Sequence, residues 1–381
     1  MGRAGREWPE RFGREDADRA ALVVLLGLGS LTPRRLFDLA MERGTAQACL
    51  DVVRRGGAAS DADVARARTA DPAEAIGAVA AAGARVVPVN DPEYPPGLMD
   101  LFDPPAAVFV RGRSLAELEP RVAVVGARNC STTGGEVAAL LGGELARAGV
   151  CVVSGAARGI DGSAHLGALK ARGTTIAVLG CGIDVAYPSK NGPLLASVAR
   201  AGAVVSEYPP QVPPEPFRFP ARNRIVAALS VAVVIVEGAP GSGSMITAEH
   251  ALDVGREVFA VPGPVTSELS HVPHALIRDG ATLIRGTEDL LSDLGLARPG
   301  PGSEPPGEAV RDATNRGLAA GGANQRAVWE ALSISGAPDR LAALTALPLS
   351  QVMAALVGLE LRGLVRAAGG RYQRRPEAGW C

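Results

Sequence analysis

The chain has 381 residues, 47% of them hydrophobic, and a formal net charge of -1. That length and apolar content exclude a disordered polymer and leave room for two or three domains. The near-zero charge excludes a uniformly basic nucleic-acid footprint, so any DNA contact needs local clustering of cations.

Lys170 and Lys190 are the only lysines, so arginine makes up almost the whole cationic complement. The excess reads as a coding bias that also inflates Ala and Gly, not as evidence of phosphate recognition. Aromatic residues are only 4% of the chain, so an aromatic beside a polar loop is informative. The five cysteines are odd in number and contain no C-x-x-C pair. That argues against a zinc ribbon or a disulfide framework and for a reducing compartment. The N-terminus lacks the apolar core of a signal peptide, and no apolar run approaches the roughly 20 residues that span a bilayer. The expected location is cytoplasmic, with no membrane partner.

Residues 1–20 are polar and expected to fray. From Ala20 to about Arg85 the pattern is helical and Ala-rich, an expected N-terminal module over 1–85. Within it, Leu26-Gly27-Leu28-Gly29 precedes Leu31-Thr32-Pro33. Two glycines there resemble a helix-hairpin-helix turn. The preferred alternative is a helix C-cap followed by a start capped at Thr32 with Pro33 at the first helical position.

Residues 86–297 alternate short apolar runs with helical segments. The runs are RVVPV, RVAVVG, VCVVSG, TTIAVLG, AVVSE, VAVVIVEG and EVFAVPG. They are Val/Ile-rich and continuous, as in strands buried on both faces. Helical stretches such as Gly134–Ala148 and Asp161–Arg172 separate several of them. The expected fold is α/β: a Rossmann-like, doubly wound, mainly parallel sheet. Ligands of such sheets bind beyond the carboxyl ends of the strands. Residues 298–322 are rich in Pro, Gly and charge and read as a linker. Three helices and a short hairpin over 323–376 then predict a winged-helix domain.

Four segments carry candidate chemistry. After VAVV, residues Gly126–Gly134 form a strand–loop–helix turn in which Arg128 and Ser131 could hold a phosphate. Ser131 or Thr132 could equally be an ordinary N-cap. The loop lacks a dinucleotide fingerprint, and neither lysine sits in a Walker A loop. In Ser154–Asp161, Gly155 and Gly159 permit close backbone approach. Asp161 is read as a helix cap, with His165 packed beneath it. In Phe217–Arg224, two scarce aromatics alternate with arginines, just before a helix that Pro220 can start. Aromatic faces stack bases and arginines hold phosphates. The opposing expectation is that one Phe and at least one of Arg222 and Arg224 are structural. Last, Gly238–Glu249 is a Gly-rich turn in which Ser242, Gly243 and Ser244 cradle an anion. His271 and His274 have no third ligand nearby, so no metal is expected.

Together these segments resemble the DNA-processing protein A (DprA/Smf) family. The likeness runs from Tyr94-Pro95-Pro96-Gly97-Leu98 through SGAARGIDGSAHLGAL, AVLGCGIDVAYPSKN, FPARNRIVAALS and EGAPGSGSMITAEHA to VFAVPG. The C-terminal segment is similar to the family's winged-helix tail, and the helical N-terminus to its variable N-terminal module. The resemblance implies a protein that is not an enzyme and has no cofactor. It implies one that binds single-stranded DNA, self-associates as a homodimer and helps load the RecA recombinase during DNA uptake. On that pattern Arg128 holds a phosphate and Phe219 stacks on a base, with Arg218 and Arg222 assisting. Ser131, Gly155, Ser242, Gly243 and Ser244 line the backbone track. Two departures stand out. Ala127 replaces the usual Ser, and Val272-Pro273-His274-Ala275-Leu276-Ile277 replaces a Gly-x-Asn-x-Leu-Ile turn. Two rival readings are a LOG-type nucleotide phosphoribohydrolase, with Glu249 ending its Gly-rich turn, and a winged-helix transcriptional regulator.

Overall fold

In the computed structural model all seven Val/Ile-rich runs become strands of one nine-stranded sheet. Residues 7–296, 322–332, 335–362, 364–368 and 371–374 are described. They fall into two units, Met1–Arg298 and Pro299–Cys381.

In the first unit the strands are β1 (Arg85–Pro88), β2 (Ala107–Gly112), β3 (Arg121–Val125), β4 (Cys151–Ser154), β5 (Thr175–Leu179), β6 (Ala203–Ser206), β7 (Ala232–Ile235), β8 (Glu257–Ala260) and β9 (Thr282–Leu283). Their order is β1-β2-β6-β5-β4-β3-β7-β8-β9. From β6 across to β9 every pairing is parallel, whereas β1 and β2 add an antiparallel edge. The sheet is therefore mixed at one margin and doubly wound elsewhere. Every residue of β3, β4, β5, β6 and β7 is buried, which is why these runs lack polar alternation.

The chain winds outward in both directions from β3. After β3, helix α6 (Thr132–Arg147) leads to β4, whereas β7 lies on β3's other side. This reversal opens a crevice past the carboxyl ends of the central strands. Helix α7 (Ile160–Lys170) packs directly on α6. A Cβ on Gly142 would lie 2.2 Å from the Ala164 carbonyl, and one on Gly167 2.0 Å from that of Ala139. Glycine is required for this approach, which sets the loops after β3 and β4 side by side.

The N-terminal helices are α1 (Asp16–Leu26), α2 (Pro33–Arg43), α3 (Ala46–Arg54), α4 (Asp61–Thr69) and α5 (Pro72–Ala81). The fraying expected over 1–20 is corrected for the part described: Trp8 and Phe12 are buried, and their rings lie 5.0 Å apart. Residues 1–6 lie outside the described residues. The capping alternative holds at Gly27–Pro33, because α1 ends at Gly27 and the Thr32 hydroxyl accepts from the Arg35 N–H. One hydrophobic core joins Phe12, Leu22 and Leu50 to Phe109, Leu179 and Val204 of the sheet. The helices and the sheet thus share packing across position 85.

The second unit contains α13 (Ala323–Ala331), β10 (Ser335–Gly336), α14 (Pro338–Thr345), α15 (Leu349–Leu361), β11 (Val365–Ala368) and β12 (Arg371–Arg374). The strands pair antiparallel in the order β10-β12-β11, the hairpin of a winged helix. Val328, Leu341, Val352, Leu356 and Leu359 make its separate core. The linker expected at 298–322 lies outside the described residues except for Gly322, as do 375–376.

Substituting Gly142→Val should force α6 and α7 apart and cost about 1–3 kcal/mol. Thermal unfolding of the purified variant checks this, with a clearly lower melting temperature expected.

Candidate nucleic-acid interface

The remaining elements around the crevice are α8 (Gly192–Ala201), α9 (Arg218–Ala228), α10 (Gly243–Asp253), α11 (His271–Arg278) and α12 (Thr287–Asp293). The FRFPARNR segment is the first part of α9: the helix starts at Arg218, and Pro220 sits inside its first turn. The segment is thus more regular than the expected pre-helix loop.

That first turn places Phe219 on the crevice rim. Its ring lies 5.1 Å from the ring of Tyr187, tilted by 32°. The Arg128 guanidinium sits over the same ring, 5.3 Å from its centroid. Arg128 is exposed, and among the described residues it makes no hydrogen bond and no ion pair. Tyr187 is 46% exposed. The loops after β3 and β5 and the first turn of α9 thus supply one cation and two adjoining rings. A second group sits beside it, with Arg218 5.0 Å from the Tyr208 ring and 5.3 Å from that of Phe217. Arg218 also donates to the Pro213 carbonyl. Neither Phe is a core residue: Phe217 is 66% exposed and Phe219 half-buried. The expectation that one of them is structural is therefore corrected.

Arg222 is a further correction. It is 5% exposed and lies beneath the rim. Its Nη1 donates to the Gly155 carbonyl at 2.6 Å and also to that of Val178. Burial pulls its guanidinium below the usual value, and the Asp161 carboxylate opposes that pull. Asp161 is itself buried, which raises its carboxyl, while Arg222 lowers it. Gly155 belongs to the same arrangement. A Cβ there would meet the Arg222 guanidinium at 2.4 Å, so the glycine makes room for Arg222 and not for a ligand. Arg224, 7% exposed, pairs with Glu207 at 2.6 Å. Both interior arginines are structural.

Ser131 is also committed within the protein. It caps α6, accepting from the Gly134 N–H, and donates to Glu237 Oε1 at 2.6 Å. Its own N–H donates to the other oxygen of Glu237. A Cβ on Gly134 would lie 2.3 Å from that carboxylate. The positive end of α6 therefore already holds an anion, the side chain of Glu237. The Ala127 departure has a simple consequence: the residue is buried, and its N–H donates to the Glu237 carbonyl.

The turn before α10 differs. No side chain caps that helix, so its first N–H groups are left open. Ser242 and Ser244 share a hydrogen bond of 2.5 Å, with Ser244 buried and Gly243 exposed. Asn223 Nδ2 donates to the Gly243 carbonyl at 3.1 Å, tying α9 to this turn. Glu249 is exposed on α10. The Val272–Ile277 departure lies within α11, where His274 Nε2 is 3.0 Å from the Gly263 carbonyl.

Reading the residues alone missed Tyr187, Asn223 and Glu237. Tyr187 carried a usable hint, as one of only four tyrosines and beside a polar loop. Glu237 carried none, because its partner lies 106 positions away.

Beneath the rim, His165 is fully buried against Thr175. The Thr175 hydroxyl donates to the Val152 carbonyl, so His165 Nδ1–H donates to Thr175 Oγ1 at 2.7 Å. Nε2 then faces the interior without a partner.

The arrangement defines a doubly wound α/β protein with an aromatic and arginine rim past the strand ends as its candidate ligand face. Residues 85–295 match the family of DNA recombination-mediator protein A, and residues 312–371 match the DprA winged helix domain. The chain belongs to the DNA recombination-mediator protein A (DprA/Smf) family. It is 45% identical over 210 residues to Protein Smf of Escherichia coli, a stretch that is 55% of this chain and 56% of that protein. It is 40% identical over 213 residues to the DNA processing protein DprA of Bacillus subtilis, covering 56% of this chain and 72% of that one. The crystal structure of DNA processing protein A from Streptococcus pneumoniae superposes with a TM-score of 0.63 at 34% identity. That match covers 72% of this chain and 97% of the pneumococcal one.

Arg222→Ala should strand two carbonyls and a buried carboxylate and cost about 3–5 kcal/mol, read as a large fall in melting temperature. Acid should also destabilise the fold through His165. Burial pushes its imidazole down to about 3 from an ordinary 6.5. The unfolded chain therefore takes up a proton that the folded chain refuses. Stability from this site is full above pH 6.5 and falls as pH drops toward 3, by roughly 2 kcal/mol at pH 5. Melting temperatures between pH 7 and pH 5 check it: His165→Gln should flatten the slope.

Proposed function

We propose that the chain binds single-stranded DNA along this rim, self-associates as a homodimer, and helps load the RecA recombinase onto that strand during DNA uptake. The observation that carries the DNA reading is the Tyr187–Phe219–Arg128 stack. One exposed ring, Tyr187, and one half-buried ring, Phe219, offer a base a π-face without reading its sequence, and an unpaired guanidinium beside them can hold the adjoining phosphate. The open N–H groups at Gly243 and Ser244, beside the Ser242 hydroxyl, suit the next phosphate. Arg218, half-buried between Tyr208 and Phe217, extends the platform. Arg222, Gly155 and Ser131 act from behind, by shaping the rim. The recombinase and self-association parts of the proposal rest on family membership.

Tyr187 and Arg128 lie on loops and Phe219 on the first turn of α9, and rings that stack on the face of a base need that base unpaired, which favours a strand over a duplex. Filter binding of an oligonucleotide against its blunt duplex should show preference for the single strand. Affinity should fall as salt rises, because phosphate contacts release counterions. Phe219→Ala, Tyr187→Ala and Arg128→Ala should each weaken binding about tenfold, within the 1–3 kcal/mol typical of one stacked base. Their melting temperatures should barely move. Equal or tighter binding to the duplex would sink the proposal, and a large melting shift with affinity intact would remove Phe219 from the site.

A further inference from the structure

Phe219 is hemmed in on three sides. A Cβ on Gly180 would lie 3.0 Å from its Cδ1, so the ring stands against that backbone. The Tyr187 ring is 5.1 Å away, and the Arg128 guanidinium carbon lies over the ring, 5.3 Å from its centroid. A stacked base needs the space over the ring that this guanidinium fills. The backbone of Arg128 is pinned and cannot yield that space. The Ala127 N–H donates to the Glu237 carbonyl at 2.8 Å, and the Ala127 carbonyl accepts from the Ile160 N–H at 3.2 Å. Gly159, at φ +75°, presses on the same stretch, where its Cβ would lie 2.3 Å from the Ala127 carbonyl oxygen and 2.6 Å from that of Arg128. The side chain, by contrast, can turn. Among the described residues no hydrogen bond and no ion pair holds its guanidinium, which rests on the ring.

We propose that Arg128 is a specificity-determining residue. In the free chain its guanidinium closes the face of Phe219, and a base takes that face only when it brings a phosphate to which the guanidinium can move. The inference rests on the single-strand binding proposed above and adds an exchange at its centre. Magnitudes decide whether the exchange runs. A cation–π contact at an exposed site holds the guanidinium by a factor of about two to five. A stacked base contributes roughly 5- to 150-fold. Moving from the ring to a phosphate also gives the guanidinium a charge-assisted, bidentate contact in place of the weaker one. A nucleotide strand therefore gains at both positions. A base without a phosphate must displace the cation and leaves it with no new partner. The latch thus selects against nucleosides, free bases and other uncharged aromatic compounds, which a bare π-face would accept.

Fluorescence anisotropy of the full chain tests this with two end-labelled probes of one base sequence, a single-stranded phosphodiester oligonucleotide and its uncharged methylphosphonate analogue. Arg128→Ala should weaken the phosphodiester about tenfold and tighten the methylphosphonate about two- to fivefold. Phe219→Leu, which keeps bulk and removes the π-face, should weaken both. Adenosine titrated by saturation-transfer NMR should follow the methylphosphonate and bind Arg128→Ala better than wild type. Arg128 is exposed, so its variant should melt with wild type. A weakened phosphodiester, with neither uncharged probe binding Arg128→Ala better than wild type, makes Arg128 a phosphate contact without a latch. That result overturns this proposal while single-strand binding stands. Tightening of both oligonucleotides means that the guanidinium blocks the ring and holds no phosphate, which also overturns it. A wild type that binds neither oligonucleotide overturns both readings.

Discussion

The rim depends on one buried cation. Arg222 reaches from α9 to the carbonyls that end β4 and β5, with the Asp161 carboxyl of α7 as its nearby counter-charge. A buried guanidinium is tolerated only where its donors are met and an opposite charge is close. Meeting those demands fixes the root of α9 against the sheet. One turn earlier, the same helix carries Arg218 and Phe219 out to the rim. Two residues later, Arg224 anchors it again to Glu207. The interior arginines thus set where the outward residues stand.

The two strand-to-helix turns flanking β3 and β7 illustrate how a similar local pattern serves opposite ends. Both have glycines and hydroxyls before a helix. At α6 the protein supplies its own anion, Glu237, and the turn becomes a joint between β7 and α6. At α10 no side chain answers the first N–H groups, and that turn remains available.

The second unit follows another logic. It has the outline of a groove-reading module, but its helix α15 carries no basic residue and one exposed acid, Glu360. A fold outline does not by itself assign a function; the side chains on the presented face do.

The sequence by itself determined the strands, the doubly wound class and the caps, because each is written in neighbouring residues. Continuous Val/Ile runs mean strands buried twice over, and Thr32-Pro33 means a helix start. It also marked Phe217–Arg224 as the informative segment. Only the tertiary structure decided which arginines of that segment face out. A local pattern states what a helix can present, not which side meets the sheet. It likewise decided that Tyr187 joins Phe219, that β2 runs antiparallel beside β6, and that Glu237 fills the anion site first assigned to a ligand. Each of these turns on partners far apart in the chain, brought together by packing that no local window contains.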